Sequence, residues 1–301
     1  MSWKQISFEV KKSEIDLISE VLIGLGSLSI SYSDALDDAI YEPPVGQTPL
    51  WDCVKVNALF SSEVNQKPIE ASILEICNIN VIETLELKDR VWEDECKKDF
   101  PSMRFGKKLW VCPSWDTETK LSNNSLVINM DPGLAFGTGT HQTTSLCLEY
   151  LDSNPPKNLR VIDFGCGTGV LAIAAAKLGA ATVIAIDNDP QAVLSSKENI
   201  AKNSCEHIIT TTHSIAQEQG TSCDLLIANI LANPLIELEP LFSELINPNG
   251  MLLLSGILKE QVDRVIECYS VNFSNIEVIN KDEWFRVSAC LLYTSPSPRD
   301  S

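Results

Sequence analysis

The sequence predicts an α/β protein in which a doubly wound, largely parallel sheet follows a smaller N-terminal α+β domain of ferredoxin-like order. Three observations carry this. Apolar runs of strand length alternate with helically spaced stretches from Leu109 to Ala289, a glycine-rich turn joins one such strand to one such helix, and residues 1–88 repeat strand, helix, strand twice.

In the front domain, Ile6 to Val10 reads as a strand, Ser13 to Leu25 as a helix with Ser13 as its N-cap, and Leu28 to Tyr32 as a second strand. Trp51 to Phe60, Pro68 to Cys77 and Val81 to Leu87 repeat that order, giving βαββαβ. The halves are joined by a loop from Asp37 to Pro49, marked by Pro43, Pro44, Gly46 and Pro49. Residues 89–108 form a linker whose first part, Asp89 to Phe100, is charge-dense and reads as a solvated helix ending at Pro101.

The second domain spans 109–289. Its strands are Leu159 to Phe164, Ala181 to Asp187, Ile208 to Thr212, Cys223 to Ile230 and Gly250 to Ser255, closed by Ile276 to Ile279 and Trp284 to Ala289. Helices are expected over Val170 to Leu178, Pro190 to Asn203, Pro234 to Ile246 and Lys259 to Tyr269. The final stretch, 290–301, reads CLLYTSPSPRDS, continues none of these patterns and is expected to be a disordered or non-native tail.

Composition narrows the function. Forty-one acidic against 23 basic residues leave a net charge of −18, which repels phosphate backbones and anionic lipids and favours a basic partner. The N-terminus lacks a basic segment followed by an apolar stretch, and the most apolar window, Val170 to Ile186, is broken by Lys177 and Gly179. A cytoplasmic, non-membrane protein is expected, and a monomer. Ten cysteines without a Cys-x-x-Cys pair, with three histidines, argue against a metal site and read as buried reduced thiols.

The chemistry is concentrated at strand ends. In Val161-Ile162-Asp163-Phe164-Gly165-Cys166-Gly167-Thr168-Gly169, glycines after a strand let the backbone turn sharply and approach a ligand closely. A nicotinamide fingerprint would place glycine or alanine where Val170 stands, so dinucleotide binding is disfavoured. Asp187, at the end of the next strand in Ala-Ile-Asp-Asn-Asp-Pro, is placed to accept both hydroxyls of a ribose, while Asp189 before Pro190 reads as a helix N-cap. In Ala228-Asn229-Ile230-Leu231-Ala232-Asn233-Pro234-Leu235, the Asn229 carbonyl can accept a hydrogen bond from an amine and aim its lone pair, and Asn233 reads as the cap of the next helix. Upstream, the loop Asp131 to Thr144 is rich in glycine and threonine. Its hydroxyls, Thr138 among them, are suited to close over a ligand, Phe136 to face a sulfonium cation, and His141 to take a proton.

The form D-x-G-x-G-x-G beginning at Asp163 resembles motif I of S-adenosylmethionine-dependent methyltransferases. DPGLAFGTGTHQTT, VIDFGCGTG, AIDNDP and NILANPL, in this order and spacing, resemble the bacterial ribosomal protein L-eleven methyltransferase family over residues 1–289. The resemblance implies a Rossmann-like methyltransferase sheet, S-adenosylmethionine as cofactor, and substrate recognition by the front domain. It further implies transfer to the N-terminal α-amine and lysine ε-amines of one basic large-subunit ribosomal protein. Thr144, Gly165, Asp187 and Asn229 match that family's cofactor-binding positions, with Asp163, Gly167 and Gly169 completing the glycine motif. Two other readings remain at this point: an enzyme methylating a nucleic-acid amine, and a non-enzymatic module that binds the cofactor.

Overall fold

The computed structural model describes residues 2–36, 50–77, 82–88, 100–117, 119, 121–131, 141–214 and 221–292. The charged segment 89–99, the loop 37–49, Phe136, Thr138 and residues 293–301 lie outside them; Cys290 and Leu291, expected to begin a disordered tail, instead finish the last strand, paired with Met251 and Phe273, because the sheet's neighbouring strands extend that far. The chain divides into two compact units, Met1–Glu95 and Cys96–Ser301.

The first unit runs β1 (Ser2–Lys11), α1 (Ile15–Gly24), β2 (Ser29–Asp34), β3 (Cys53–Ser61), α2 (Gln66–Ile76) and β4 (Glu83–Lys88). Its strands form one antiparallel sheet in the order β2-β3-β1-β4. Strand β3 shows why: in Cys-Val-Lys-Val-Asn-Ala-Leu-Phe, every second residue is apolar, and Val54, Val56, Ala58 and Phe60 are fully buried. That face meets Ile15, Ile18 and Leu22 of α1 and Ile69 and Ile73 of α2 to make the unit's core. The helix in the first half starts later than its periodicity suggested. Lys12–Glu14 forms a 3-10 turn, Glu14 rather than Ser13 precedes α1, and the Glu14 carboxylate accepts the Lys11 amide at 3.0 Å. A carboxylate reaching back three residues displaces the serine as the local hydrogen-bond partner.

In the second unit, β5 (Met103–Phe105), β6 (Leu109–Cys112) and β7 (Leu126–Asn129) form a small three-stranded sheet that the sequence patterns did not reveal. Then come α3 (Gln142–Ser153), β8 (Arg160–Phe164), α4 (Val170–Lys177), β9 (Thr182–Ile186), α5 (Pro190–Lys202), β10 (Ile209–Thr212) and β11 (Cys223–Asn229). They are followed by α6 (Ala232–Glu237), α7 (Glu239–Leu245), β12 (Ile246–Leu258), α8 (Val262–Tyr269), β13 (Phe273–Lys281) and β14 (Trp284–Leu291). The seven-stranded sheet is ordered β10-β9-β8-β11-β12-β14-β13. Strands β8 to β12 are parallel, and β14 and β13 close the sheet antiparallel.

Both faces of this sheet are apolar, as a doubly covered parallel sheet requires. One carries a core with Val161, Val183, Leu225 and Leu253 against α3 and α4, the other a core with Ile162, Leu226, Leu252 and Leu254 against α6, α7 and α8. Helix α4 is buried from Val170 through Ala176, which explains its lack of a polar stripe. Chain order reverses at β8: the chain leaves toward β9 and β10, then returns to β11 on the other side. The carboxyl ends of β8 and β11 flank the crevice where such folds bind ligands.

Two expectations near this crevice are corrected. The helix expected over Pro234 to Ile246 is two helices, because Pro240 lacks the N–H that would continue the ladder and instead falls in the first turn of α7. Asn233 is not a cap: α6 begins at Ala232 with Leu231 before it, and Pro234 sits in the first turn, where amides have no intrahelical partner. The Asn233 side-chain oxygen instead lies 3.4 Å from the Arg264 guanidinium, which donates to it. By contrast Asp189 does cap α5, accepting the Gln191 amide at 2.9 Å. Asp189→Ala is expected to lower stability by about 1 kcal/mol and the melting temperature by roughly 2–4 °C, read by thermal unfolding. Among the described residues no helix is long and apolar enough to cross a membrane.

Candidate functional site

Strand register places the sequence-derived site residues in one row. Ile186 of β9 pairs with Phe164 of β8, and Phe164 with Ala228 of β11. The next residue on each strand is Asp187, Gly165 and Asn229. With neighbouring strands about 4.8 Å apart, a carboxylate and a carboxamide flank a bare glycine backbone across about 10 Å of sheet edge.

The turn itself is tightly specified. Gly165, Gly167 and Gly169 have φ of 73°, 53° and 79°. The amides of Gly165 and Cys166 both donate to the Ile186 carbonyl, at 2.8 and 2.9 Å, folding the loop back over β9. A Cβ on Gly165 would lie 2.4 Å from Cγ2 of Ile230, so only glycine lets β8 end this close to the Asn229–Ile230 segment. The Cys166 thiol is buried, and burial raises its pKa, so it stays protonated and inert.

Asp187 is half-buried and held by the backbone. Its Oδ2 accepts the Gly167 amide at 2.9 Å and its Oδ1 the Asp189 amide at 3.0 Å. Each oxygen keeps a further lone pair, which is what a vicinal diol needs. Asp163 lies beneath the loop, 1% exposed, with Oδ2 accepting the Ala172 amide in the first turn of α4 at 2.9 Å. Its Oδ1 is buried with no hydrogen-bond partner among the described residues. Burial, reinforced by the Asp187 charge, pushes its pKa up to about 7 against the pull of the Ala172 amide.

An unfolded aspartate titrates near 3.9. Between there and about 7 the folded chain holds a proton that the unfolded chain has lost, so the contribution of this group to stability falls as pH rises through that window. Asp163→Asn should therefore gain on the wild type steadily from about pH 4 to pH 7, read as a growing difference in melting temperature. A constant difference across the window would contradict the assignment.

On the other side of the row, the Asn229 amide Nδ2 donates to Thr144 Oγ1 at 3.3 Å. Thr144 belongs to the first turn of α3 and is 2% exposed. His141 caps that helix: its Nδ1 accepts the Thr143 amide at 3.4 Å and lies 2.8 Å from Thr143 Oγ1, and its ring meets Trp284 edge-on at 4.9 Å between centroids. Burial lowers the His141 pKa below its ordinary value, disfavouring the imidazolium, and the Glu283 charge opposes this only in part.

Two contributors escaped the sequence reading. Ser255, paired with Asn229 across β11 and β12 and fully buried, donates toward the carbonyls of Thr143 and Phe285 at 3.2 and 3.3 Å. Gly256 has φ +87°, and a Cβ there would lie 2.2 Å from the Ile230 carbonyl oxygen. The only sequence signal was a Ser-Gly pair ending an apolar run. Among the described residues no group of three or more His, Cys, Asp or Glu side chains is placed to hold a metal ion.

This arrangement suits a ligand with a diol at Asp187 and an amine at Asn229. Comparison with known proteins identifies the family. A family model described as ribosomal protein L11 methyltransferase (PrmA) matches residues 2–291. The ribosomal protein L11 methyltransferase of Pasteurella multocida is 42% identical over 97% of this chain and 100% of its own length. That of Actinobacillus succinogenes is 44% identical over the same shares. The solved structure of the ribosomal protein L11 methylase from Lactobacillus delbrueckii subsp. bulgaricus superposes with a TM-score of 0.60 at 30% identity, covering 64% of this chain and all of that one.

Proposed function

Because this chain belongs to the ribosomal protein L11 methyltransferase family, we propose that it transfers methyl groups from S-adenosylmethionine to amines of ribosomal protein L11, namely lysine ε-amines and the N-terminal α-amine. The observation that carries this reading is the row Asp187, Gly165, Asn229 at the sheet's switch point.

The residues fit the cofactor. Asp187 is suited to the ribose hydroxyls, and Gly165, Gly167 and Gly169 leave a backbone cradle that a Cβ at 165 would fill. The unpartnered buried Oδ1 of Asp163 is a natural acceptor for a donor from an ammonium or an ordered water. Phe136 and Thr138 remain cofactor candidates by their position in the threonine loop. When bound, this cofactor supplies an electrophilic methyl carbon on a sulfonium.

The chain's own residues then govern the nucleophile. A lysine amine with pKa near 10.4 is mostly protonated at pH 7 and must lose a proton before it can react. The half-buried setting of Asn229 disfavours the charged form. The Asn229 carbonyl accepts an N–H of the neutral amine, which orients the lone pair away from the amide. His141, whose pKa burial lowers, is the candidate proton acceptor.

The net charge of −18 favours a basic protein over RNA. In this reading the first unit, Met1–Glu95, recognises the substrate and the activity resides in the second, which already includes β5 within the stretch expected to be a linker. The test is mass spectrometry of L11 and of ribosomal RNA after incubation with the enzyme and labelled donor. Mass gains of whole methyl groups on L11 alone support the proposal; label in RNA alone overturns it.

A further inference from the structure

Asp163 stands on β8 two residues before Gly165 and shares the strand face of Val161, which α3 and α4 cover. It is 1% exposed; its Oδ2 accepts the Ala172 amide, and its Oδ1 has no hydrogen-bond partner among the described residues. A buried oxygen in that state costs free energy until a proton or a ligand donor satisfies it. Among the described residues no free cation faces it. Asp187, at the tip of β9, adds a second negative charge. The Cys166 thiol of the glycine turn and the Cys147 thiol of α3 are buried, which raises both pKa values and keeps both groups neutral. On β11 the residue in register is Ile227, and α4 offers the Ala172 amide alone. Arg286 of β14 acts on Cys147 but is paired with Glu277 at 2.8 Å. With no positive charge at hand, Asp163 holds a proton up to about pH 7.

The proposed cofactor carries what this pocket lacks, an α-ammonium in addition to its sulfonium. We infer that cofactor binding exchanges the proton on Asp163 for that ammonium: the carboxyl O–H breaks, the proton leaves to solvent, and Oδ1 accepts an N–H of the ammonium in a charge-assisted hydrogen bond. The row at the sheet edge supports this placement. Asp187 takes the ribose on one side of Gly165 and Asn229 the amine on the other, so the ligand crosses the turn beneath which Asp163 lies. A cation there also relieves the repulsion between Asp163 and Asp187, which a neutral donor does not. The sign of the pH dependence follows. Protonated Asp163 must lose its proton before the ammonium is held, so affinity rises by about fivefold from pH 6 to pH 7. The demethylated product keeps the ammonium, so Asp163 stays ionised through turnover and regains its proton only when the product leaves.

The inference rests on the methyltransferase reading, and the experiment separates the two. Calorimetry of the wild type with S-adenosylhomocysteine at about pH 6.5, in buffers of different ionisation enthalpy, counts the protons exchanged. About three-quarters of a proton should be released per ligand bound. The probe 5′-methylthioadenosine keeps the adenine and ribose but lacks the amino-acid arm, and should release less than about 0.2 of a proton. Asp163→Asn should bring S-adenosylhomocysteine to that same low value and hold its affinity constant within about 1.5-fold between pH 6 and pH 7. The two-ligand comparison on the wild type stands even where Asp163→Asn does not fold. Equal release with both ligands, no release with S-adenosylhomocysteine, or undiminished release in Asp163→Asn overturns the inference. A wild-type chain that does not bind S-adenosylhomocysteine overturns the reading beneath it.

Discussion

Replacing Asn229 by alanine is expected to lower kcat for L11 methylation about a hundredfold, equivalent to roughly 2.7 kcal/mol of transition-state stabilisation. The loss has a definite origin. The carboxamide stands one residue beyond the last row that pairs β11 with β8, beside Gly165, and its Nδ2 lies against the Thr144 hydroxyl. Alanine leaves the fold's apolar contacts in place, since Asn229 is only half-buried, but removes the acceptor proposed to aim the amine. Because the proposed cofactor contacts at Asp187 and the glycine turn are left in place, S-adenosylhomocysteine affinity is expected to fall less than kcat. The measurement is steady-state kinetics alongside calorimetry with S-adenosylhomocysteine. A variant with wild-type kcat would remove Asn229 from the mechanism.

The largest structural effect should come from Gly256→Ala. Its backbone is left-handed at φ +87°, and the added Cβ would meet the Ile230 carbonyl oxygen at 2.2 Å and its carbon at 2.9 Å. Both partners are main chain, so neither can rotate away. The β12–β14 pairing is already irregular between Leu254 and Ile257, as expected where the strand bends to admit another segment. We expect about 3 kcal/mol of destabilisation and a melting temperature lower by roughly 6–12 °C. Activity should fall beyond what unfolding explains, because Ile230 follows Asn229 directly. Gly26→Ala is the control: its φ is +89°, but a Cβ there meets nothing within 4 Å, so it isolates the backbone cost from the clash. Equal losses in the two variants would show that steric contact at Ile230 contributes nothing.

Gly165 and Gly256 bracket Ile230 from two strands, and this is the point at which the sequence stopped being informative. Gly165 lay inside a recognisable strand–turn–helix motif, so its role could be read. Gly256 lay in no motif; its need for a missing side chain depends on a neighbour 26 residues earlier in the chain. The same contrast holds among caps. Asp189 before Pro190 was read correctly because an N-cap acts on an amide two residues away. Asn233 before Pro234 carries the same local signature and does not cap, since α6 starts earlier and the Asn233 side chain accepts from Arg264 of a different helix.

What the sequence determined by itself was therefore whatever rests on short-range chemistry: period-two burial in β3, the apolar strands of a doubly covered sheet, the left-handed glycines after β8, and a carboxylate at the tip of β9. Register and packing decided the remainder. Only pairing across β9, β8, β11 and β12 aligned Asp187, Gly165, Asn229 and Ser255 at one edge, and only the seating of α3 on that edge brought Thr144 to Asn229 across 85 residues of chain. Propensities and turn chemistry act over a few bonds, whereas a hydrogen bond between distant segments exists only after the whole sheet has closed and so leaves no local trace in the residues that make it.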